Sequence, residues 1–428
     1  MAMIVSALFL LLALMGAPLF AVIAASALWG FFQQDINLSV VAIEIYRLTE
    51  MPVLTAIPLF TFAGYLLGES KAPQRLVRIT DALLGWMPGG LAIVALIACA
   101  LFTAFTGASG VTIVALGALL YPALKKAGYS TNFNLGLITT SGSLGLLFAP
   151  SLPLILYGVV AQQLALDIPV SIDDLFLAGI IPGTLMLVAL SIYSAIQPRD
   201  PAALQNKTKF DAKEAIAAIK DTAWEAPLPV IVLGGIYGGF IAVSEAAAIT
   251  AFYVLLVSVV IRQEISLRKL PVVMRDSMKL VGAIMVILAV SLASTNYMID
   301  AGIPSAIFDF ISEHIDSQLT FLFLLFLFLL VLGMMLDIFS AIVIMVPIIL
   351  PIAIQFGIHP VHLGILFLAN MQLGYFTPPV GMNLFIASFR FQRPVTELYR
   401  ATIPFFFILL TTVLLITYVP WLSLVFID

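Results

Sequence analysis

From residue 88 to 122, and again from 318 to 352, the chain is apolar for a length too great for one membrane crossing and too short for two. A crossing needs about 20 residues. Each stretch is interrupted near its middle. The first reads Thr103-Ala104-Phe105-Thr106-Gly107-Ala108-Ser109-Gly110-Val111-Thr112, and the second Gly333-Met334-Met335-Leu336-Asp337-Ile338-Phe339-Ser340. A segment that enters the bilayer, turns at mid-depth and leaves on the same side has this signature. Both are read as re-entrant helical hairpins.

The rest of the chain agrees with a membrane setting. It is 62% hydrophobic and 10% charged, where a soluble domain carries roughly 25% charged residues. Further apolar runs lie at 2–15, 18–32, 51–68, 134–165, 176–197, 227–243, 245–262, 279–299, 361–390 and 403–426. The expected fold class is an all-α polytopic membrane protein. The net charge of −4 argues against nucleic acid, and Cys99 has no partner for a disulfide. His359 and His362 flank Pro360 in an expected loop, without the further ligands a metal needs. No nucleophile–base pair, phosphate loop or zinc signature appears, so the chain does not read as an enzyme. The N-terminal apolar stretch lacks the positive start of a secretory signal, since the first basic residue is Arg47. It is read as retained membrane spans.

Threading the chain with both hairpins in place sorts its charges. Of the 19 Lys and Arg residues, all except Arg47 fall on one side, among them Lys71, Arg75, Arg78, Lys125, Lys126, Arg262, Arg275, Arg390 and Arg400. The positive-inside rule makes that side cytoplasmic. Asp167, Asp173, Asp174, Asp300, Asp309, Glu313 and Asp316 then face outward, and both termini are expected in the periplasm. If either hairpin were a full crossing, the sorting would fail downstream of it.

The most hydrophilic link, 199–225, divides the chain almost in half and predicts a short surface helix. The two sides of it resemble one another. Leu144-Gly145 through Pro150 lies on Leu373-Gly374 through Pro379, Pro122 on Pro351 and Gly128 on Gly357, all at an offset of 229. Pro169-Val170-Ser171 likewise matches Pro394-Val395-Thr396. By the charge argument the copies point in opposite directions. The expected organisation is a first inverted repeat at 1–198 (hairpin 88–122, broken helix 134–165), a cytoplasmic linker at 199–225, and a second repeat at 226–428 (hairpin 318–352, broken helix 361–390).

Inverted repeats with broken helices are transporter architecture. Four polar breaks carry the chemistry: the two hairpin tips, Ser141-Gly142-Ser143 through Pro153, and Asn370-Met371-Gln372 through Asn383. Gly and Pro unwind a helix and free its carbonyls, which with Ser and Thr hydroxyls suit a hard monovalent cation. The half-helices that follow each break present N–H groups and a positive dipole end, which suit an anion. Asp337 is the acidic residue placed within apolar depth, and such residues are usually functional. No Lys or Arg lies in the spans, so Ser109, Asp337 and Asn383 are the candidate substrate residues, with bound cations balancing an anionic substrate. Gly234, Gly235, Gly238 and Gly239 read as helix packing.

At these breaks the chain resembles the large membrane subunit of TRAP (tripartite ATP-independent periplasmic) transporters, the DctM-like family. Leu144-Gly145 through Tyr157-Gly158, Ser244-Glu245, and Gly374-x-x-Thr377-Pro378-Pro379-Val380-Gly381-x-Asn383 carry the resemblance, which spans essentially the whole chain. It implies an elevator-type transporter, similar to the ion transporter superfamily, in the bacterial inner membrane. Sodium is the implied coupling ion, with no other cofactor. The implied partners are a small four-helix membrane subunit and a periplasmic binding protein that delivers an organic acid such as a C4-dicarboxylate or sialic acid. The family's sodium positions fall on Thr103, Gly145, Phe148 and Pro150 for one site, and on Gly333, Gly374, Thr377 and Val380 for the other. The first tip is poorer in serine than the family pattern, which leaves the hydroxyl ligand of the first site open. A stand-alone cation-coupled anion symporter is the alternative reading. Two inverted hairpins suit a channel less well.

Overall fold

The structure, a computed structural model, describes residues 8, 9, 11, 12, 15, 17–47, 50–87, 89–164, 168–200, 211–315 and 317–427. Most of the expected apolar run 2–15, along with Asp167, Asp316, Lys207 and Lys209, lies outside them. Among the described residues every regular element is helical, and seven helices are long and apolar enough to cross a membrane.

The first half contains α1 (Leu19–Gln33), α2 (Ser39–Arg47), α3 (Ala56–Glu69), α4 (Ala72–Leu84), α5 (Gly90–Thr106), α6 (Ser109–Lys126), α7 (Thr131–Ser141), α8 (Leu152–Gln163), α9 (Ile172–Ala178) and α10 (Ile180–Ala195). The surface helix expected in the linker is α11 (Ala212–Asp221). Then follow α12 (Pro227–Tyr237), α13 (Val243–Ile261), α14 (Leu270–Asp300), α15 (Ile303–Ser312), α16 (Gln318–Met335), α17 (Ile338–Gln355), α18 (Pro360–Gly374), α19 (Met382–Phe391), α20 (Val395–Tyr418) and α21 (Trp421–Leu424). Local chemistry sets several starts. Ser130 caps α7 by accepting from the Phe133 N–H at 3.2 Å, and Ser171 caps α9 by accepting from Asp174 N–H at 2.9 Å.

Element boundaries repeat at the offset read from the sequence. Residues 109–126 and 338–355 each form one helix, α6 and α17. Adding 229 to the end of α5 gives the end of α16, and adding it to the start of α7 gives the start of α18. Gly128 and Gly357, which follow α6 and α17, have φ of +83° and +77°. Only glycine adopts that region without a steric cost. Ala149-Pro150 and Pro378-Pro379 are both cis.

Packing sorts the helices differently from the sequence. The broken helices form the centre: every residue of α18 is buried, as is α8 from Leu152 to Ala161. Around them α16 packs along α18, α17 along α8, α20 along α7, and α19 along α6. The Tyr157 hydroxyl on α8 donates to the Pro360 carbonyl at the head of α18 (2.7 Å), tying the two together. A second group joins α1–α3 to α13 and α14, helices from both halves.

Two helices carry charge the apolar reading did not resolve. The amphipathic α4 places Arg75, 6% exposed, between Glu225 and Glu264, with Nε to Glu225 at 2.8 Å. Arg78 binds Glu214 and Asp221 from α11 at 2.8 and 3.0 Å, and Arg262 reaches the same Asp221 at 3.4 Å. Burial pushes the Glu264 carboxyl up, but the Arg75 guanidinium and the Lys71 backbone N–H outweigh it and hold it below the usual range. Arg75 is held above its ordinary value because these bonds outweigh its own desolvation. The helix α14 also begins nine residues earlier than the expected 279–299 run, at Leu270, carrying Arg275 and Lys279 on an exposed turn.

Candidate functional site

The first tip and the first break are in direct contact. α5 is followed by Gly107, whose φ of +65° turns the chain into α6. One turn earlier, the Thr103 hydroxyl donates to the Gly142 carbonyl at 2.9 Å and pairs with the Thr112 hydroxyl at 2.6 Å. Gly145 lies so close to α5 that a Cβ would stand 2.2 Å from the Ala100 carbonyl oxygen and 2.6 Å from Thr103 Cβ. The α7–α8 pair bends by 42° across this break. Phe148 N–H donates to the Gly145 carbonyl at 3.1 Å, and Ser151 N–H to the Phe148 carbonyl at 3.0 Å. The Phe148 ring packs over Gly183 of α10, and Pro150 completes the turn before α8. Thr103, Gly145, Phe148 and Pro150 thus occupy one junction.

The second junction has the same plan with different side chains. Gly333 of α16 and Gly374 of α18 touch backbone to backbone: a Cβ on Gly374 would meet Gly333 Cα at 2.5 Å. The Gly381 N–H donates to the Met334 carbonyl at 3.0 Å, and the Tyr375 hydroxyl accepts from the Ile338 N–H at 2.6 Å. Thr377 is buried, donating its hydroxyl to the Leu373 carbonyl at 2.6 Å, while its N–H binds the Gly374 carbonyl at 3.0 Å. Val380 is 41% exposed and sits between Pro379, whose carbonyl accepts from the Tyr399 hydroxyl, and Gly381. Asp337 is half-buried. Its carboxylate accepts from the N–H groups of Phe339 and Ser340, both at 3.0 Å, so it caps α17 and orders the tip.

Asn383 joins the two junctions. It is fully buried; its Nδ2 donates to the Thr139 carbonyl on α7 at 3.2 Å, and its backbone N–H to the Tyr375 carbonyl at 2.9 Å. Ser109 lies on the other side of this link. Its neighbour Gly110 would carry a Cβ 2.8 Å from Ile386 of α19. The two junctions are therefore in contact through α19.

Many oxygens in this region lack a partner. Thr106 Oγ1, Ser109 Oγ, Thr140 Oγ1 and Ser151 Oγ in the first junction, with Asn370 Oδ1, Gln372 Oε1 and Asn383 Oδ1 in the second, are buried without a hydrogen bond. An orphaned buried polar atom costs about 1–3 kcal/mol. These seven oxygens gather at the two helix breaks and tips. Neutral hydroxyl, amide and carbonyl oxygens are the donor set of an alkali cation, and the half-helix N-termini suit an anion. Thr112 closes the first tip motif, whereas Thr140 is absent from the residues singled out by motif. The place of Thr140 depends on contacts across the break, which spacing does not reveal.

Among the described residues no group of His, Cys, Asp and Glu could hold a transition metal. His359 caps α18 by accepting from the Val361 N–H, and His362 pairs with Ser423 at 2.6 Å.

A family model for the tripartite ATP-independent periplasmic transporter, DctM component, matches residues 4–422. The chain is similar to the C4-dicarboxylate TRAP transporter large permease protein DctM of Rhodobacter capsulatus, 33% identical over 99% of this chain and 98% of that one. It is also similar to the ectoine TRAP transporter large permease protein TeaC of Halomonas elongata, 30% identical over 96% of both. Among solved structures, the Alcanivorax borkumensis YdaH transporter matches with a TM-score of 0.60 over 88% of each chain at 15% identity, a likeness of fold.

Proposed function

The chain belongs to the DctM component family of the tripartite ATP-independent periplasmic transporters, and from that premise we propose that it is the large permease of a sodium-coupled importer of a small organic anion. Secondary transport of organic acids is the business of the family, and the multi-pass helical structure agrees with it. The observation that carries the finer reading is the meeting of each tip with its broken helix, through Thr103–Gly142 and Gly333–Gly374, amid unpartnered buried oxygens.

Each junction takes one sodium ion: Thr103, Gly145, Phe148 and Pro150 hold the first, and Gly333, Gly374, Thr377 and Val380 the second. Ser109 and Asn383 face the substrate between them, and Asp337 orders the second tip beside it. The two bound cations supply the positive charge that the spans lack, so binding of the anion and of sodium depend on one another. The repeats run in opposite directions, with both termini in the periplasm and the link 199–225 in the cytoplasm. The central group of helices moves against the group built from α1–α3, α13 and α14, as an elevator. A small membrane subunit covers that outer group, and a periplasmic binding protein delivers the acid across the inner membrane.

Uptake into proteoliposomes tests this reading. The permease is reconstituted with a small subunit and a binding protein, and succinate, ectoine and N-acetylneuraminate are offered. Uptake of one of them in sodium and its loss in potassium are expected. Undiminished uptake in potassium overturns sodium coupling, and equal uptake by the permease alone favours the stand-alone symporter.

A further inference from the structure

The unpartnered hydroxyls of the first junction are unlike those elsewhere in the chain. Most buried Ser and Thr in the other helices donate to the carbonyl one turn back, as Thr61 does to Ile57 (2.6 Å), Ser194 to Leu190 (2.7 Å), Ser258 to Val254 (2.6 Å) and Thr417 to Val413 (2.8 Å). Thr106, Ser109, Thr140 and Ser151 do not. Among the described residues, Thr250 on α13 carries the one other Ser or Thr hydroxyl that is wholly shielded from solvent and without a partner. Ser109 is 3% exposed and the other three are fully buried.

Their placement on the helices divides them by charge. Ser109 is the first residue of α6, and Ser151 is the N-cap of α8 with its hydroxyl unused for capping. Both therefore stand at positive dipole ends, on helices of 18 and 12 residues. Thr106 ends α5, and Thr140 is the penultimate residue of α7, so both stand at negative ends. The four ends meet. The Leu152 side chain, at the head of α8, would lie 2.6 Å from a Cβ on Gly107, and Ser109 O would lie 3.3 Å from one on Gly142.

We infer that the first junction binds a contact ion pair: Ser109 and Ser151 clamp a carboxylate of the substrate on two helix N-termini, while Thr106 and Thr140 turn their oxygens to the neighbouring sodium. This rests on the sodium-coupled reading above and adds Ser151, Thr106 and Thr140 as binding residues. A carboxylate accepts two hydroxyl hydrogens and the free N–H groups of two helix starts. A cation takes hydroxyl oxygens at two helix ends where carbonyls lack partners. Each charge lowers the cost of burying the other.

Thermal unfolding of the purified full chain in nanodiscs tests it, in potassium chloride, sodium chloride, and sodium succinate at matched sodium. For the parent, sodium but not potassium raises Tm, and succinate raises it further. The double variant S109A/S151A should need about tenfold more succinate for the same shift, with its sodium response in chloride unchanged. T140A should need about tenfold more sodium. In potassium chloride these variants should be as stable as the parent or more so, because alanine removes a buried group without a partner. An intact succinate response in S109A/S151A, or none in the parent despite a normal sodium response, overturns the clamp while leaving sodium coupling standing. A Tm several degrees lower in potassium would make the hydroxyls structural and also overturn it. Equal responses to sodium and potassium overturn the wider reading and the clamp together.

Discussion

Asn383 Nδ2 donates to the Thr139 carbonyl across 3.2 Å, joining the half-helix after the second break to the helix before the first. The two residues are 244 positions apart in the chain. One amide therefore ties the two junctions directly. Its Oδ1 has no partner, so the same side chain is both strut and free acceptor.

N383A removes both roles. It should cost about 1–3 kcal/mol of stability, because the Thr139 carbonyl loses its donor. Uptake should fall further than that loss explains. Thermal unfolding and uptake, measured on the same preparation, separate the two effects; full uptake with lowered stability would leave Asn383 a strut alone.

Close backbone contact at the junctions makes a second prediction. A Cβ at residue 145 would stand 2.2 Å from a carbonyl oxygen, and one at residue 374 would stand 2.5 Å from backbone carbon. G145A and G374A must push tip and broken helix apart, at about 1–3 kcal/mol or more, and uptake should be lost. G282A is the control: nothing lies within 4 Å of that Cβ in α14, and the change should stabilise the helix slightly.

The places of these contacts were legible in the sequence, while their partners were not. Apolar stretches interrupted by Gly, Pro and hydroxyl residues bracket the helix ends at both tips and both breaks, because unwinding is local chemistry. The 229-residue offset in the motifs is the offset of helix boundaries too. Thr140 is not legible in spacing because its meaning lies in a missing bond. The ionic contacts of Arg75 are not legible either, because Glu225 and Glu264 are more than 140 residues away. Asp337 was noted for its depth, and the fold uses it as a helix cap.

That ionic group gives a third prediction. R75M leaves two nearly buried carboxylates without their cation, and should destabilise the protein by about 3–5 kcal/mol. The parent should also lose stability in acid. Glu264 has a lowered pKa in the folded state, so its contribution is whole above its unfolded value of about 4.3. It fades as pH falls through the folded value. An E264Q variant should show a shallower acid loss by thermal unfolding between pH 6 and pH 3, and an identical profile would remove Glu264 from the account.

Asp337 supplies a fourth. As the cap of α17 it can be replaced by Asn or Ser with little loss, whereas D337A should cost about 0.5–2 kcal/mol and disorder the second tip. Uptake by D337N near the parent level, with D337A impaired, is the expected pattern. Equal and severe loss in both would mean that the charge itself is needed.

The central claim, that each tip-and-break junction holds an alkali cation, is tested most directly by equilibrium binding of radioactive sodium to the purified chain. The account predicts saturable binding that excess sodium displaces and excess potassium does not. Folded G145A and G374A should each lose part of it. Binding that potassium displaces equally, or that both variants retain in full, would contradict the account.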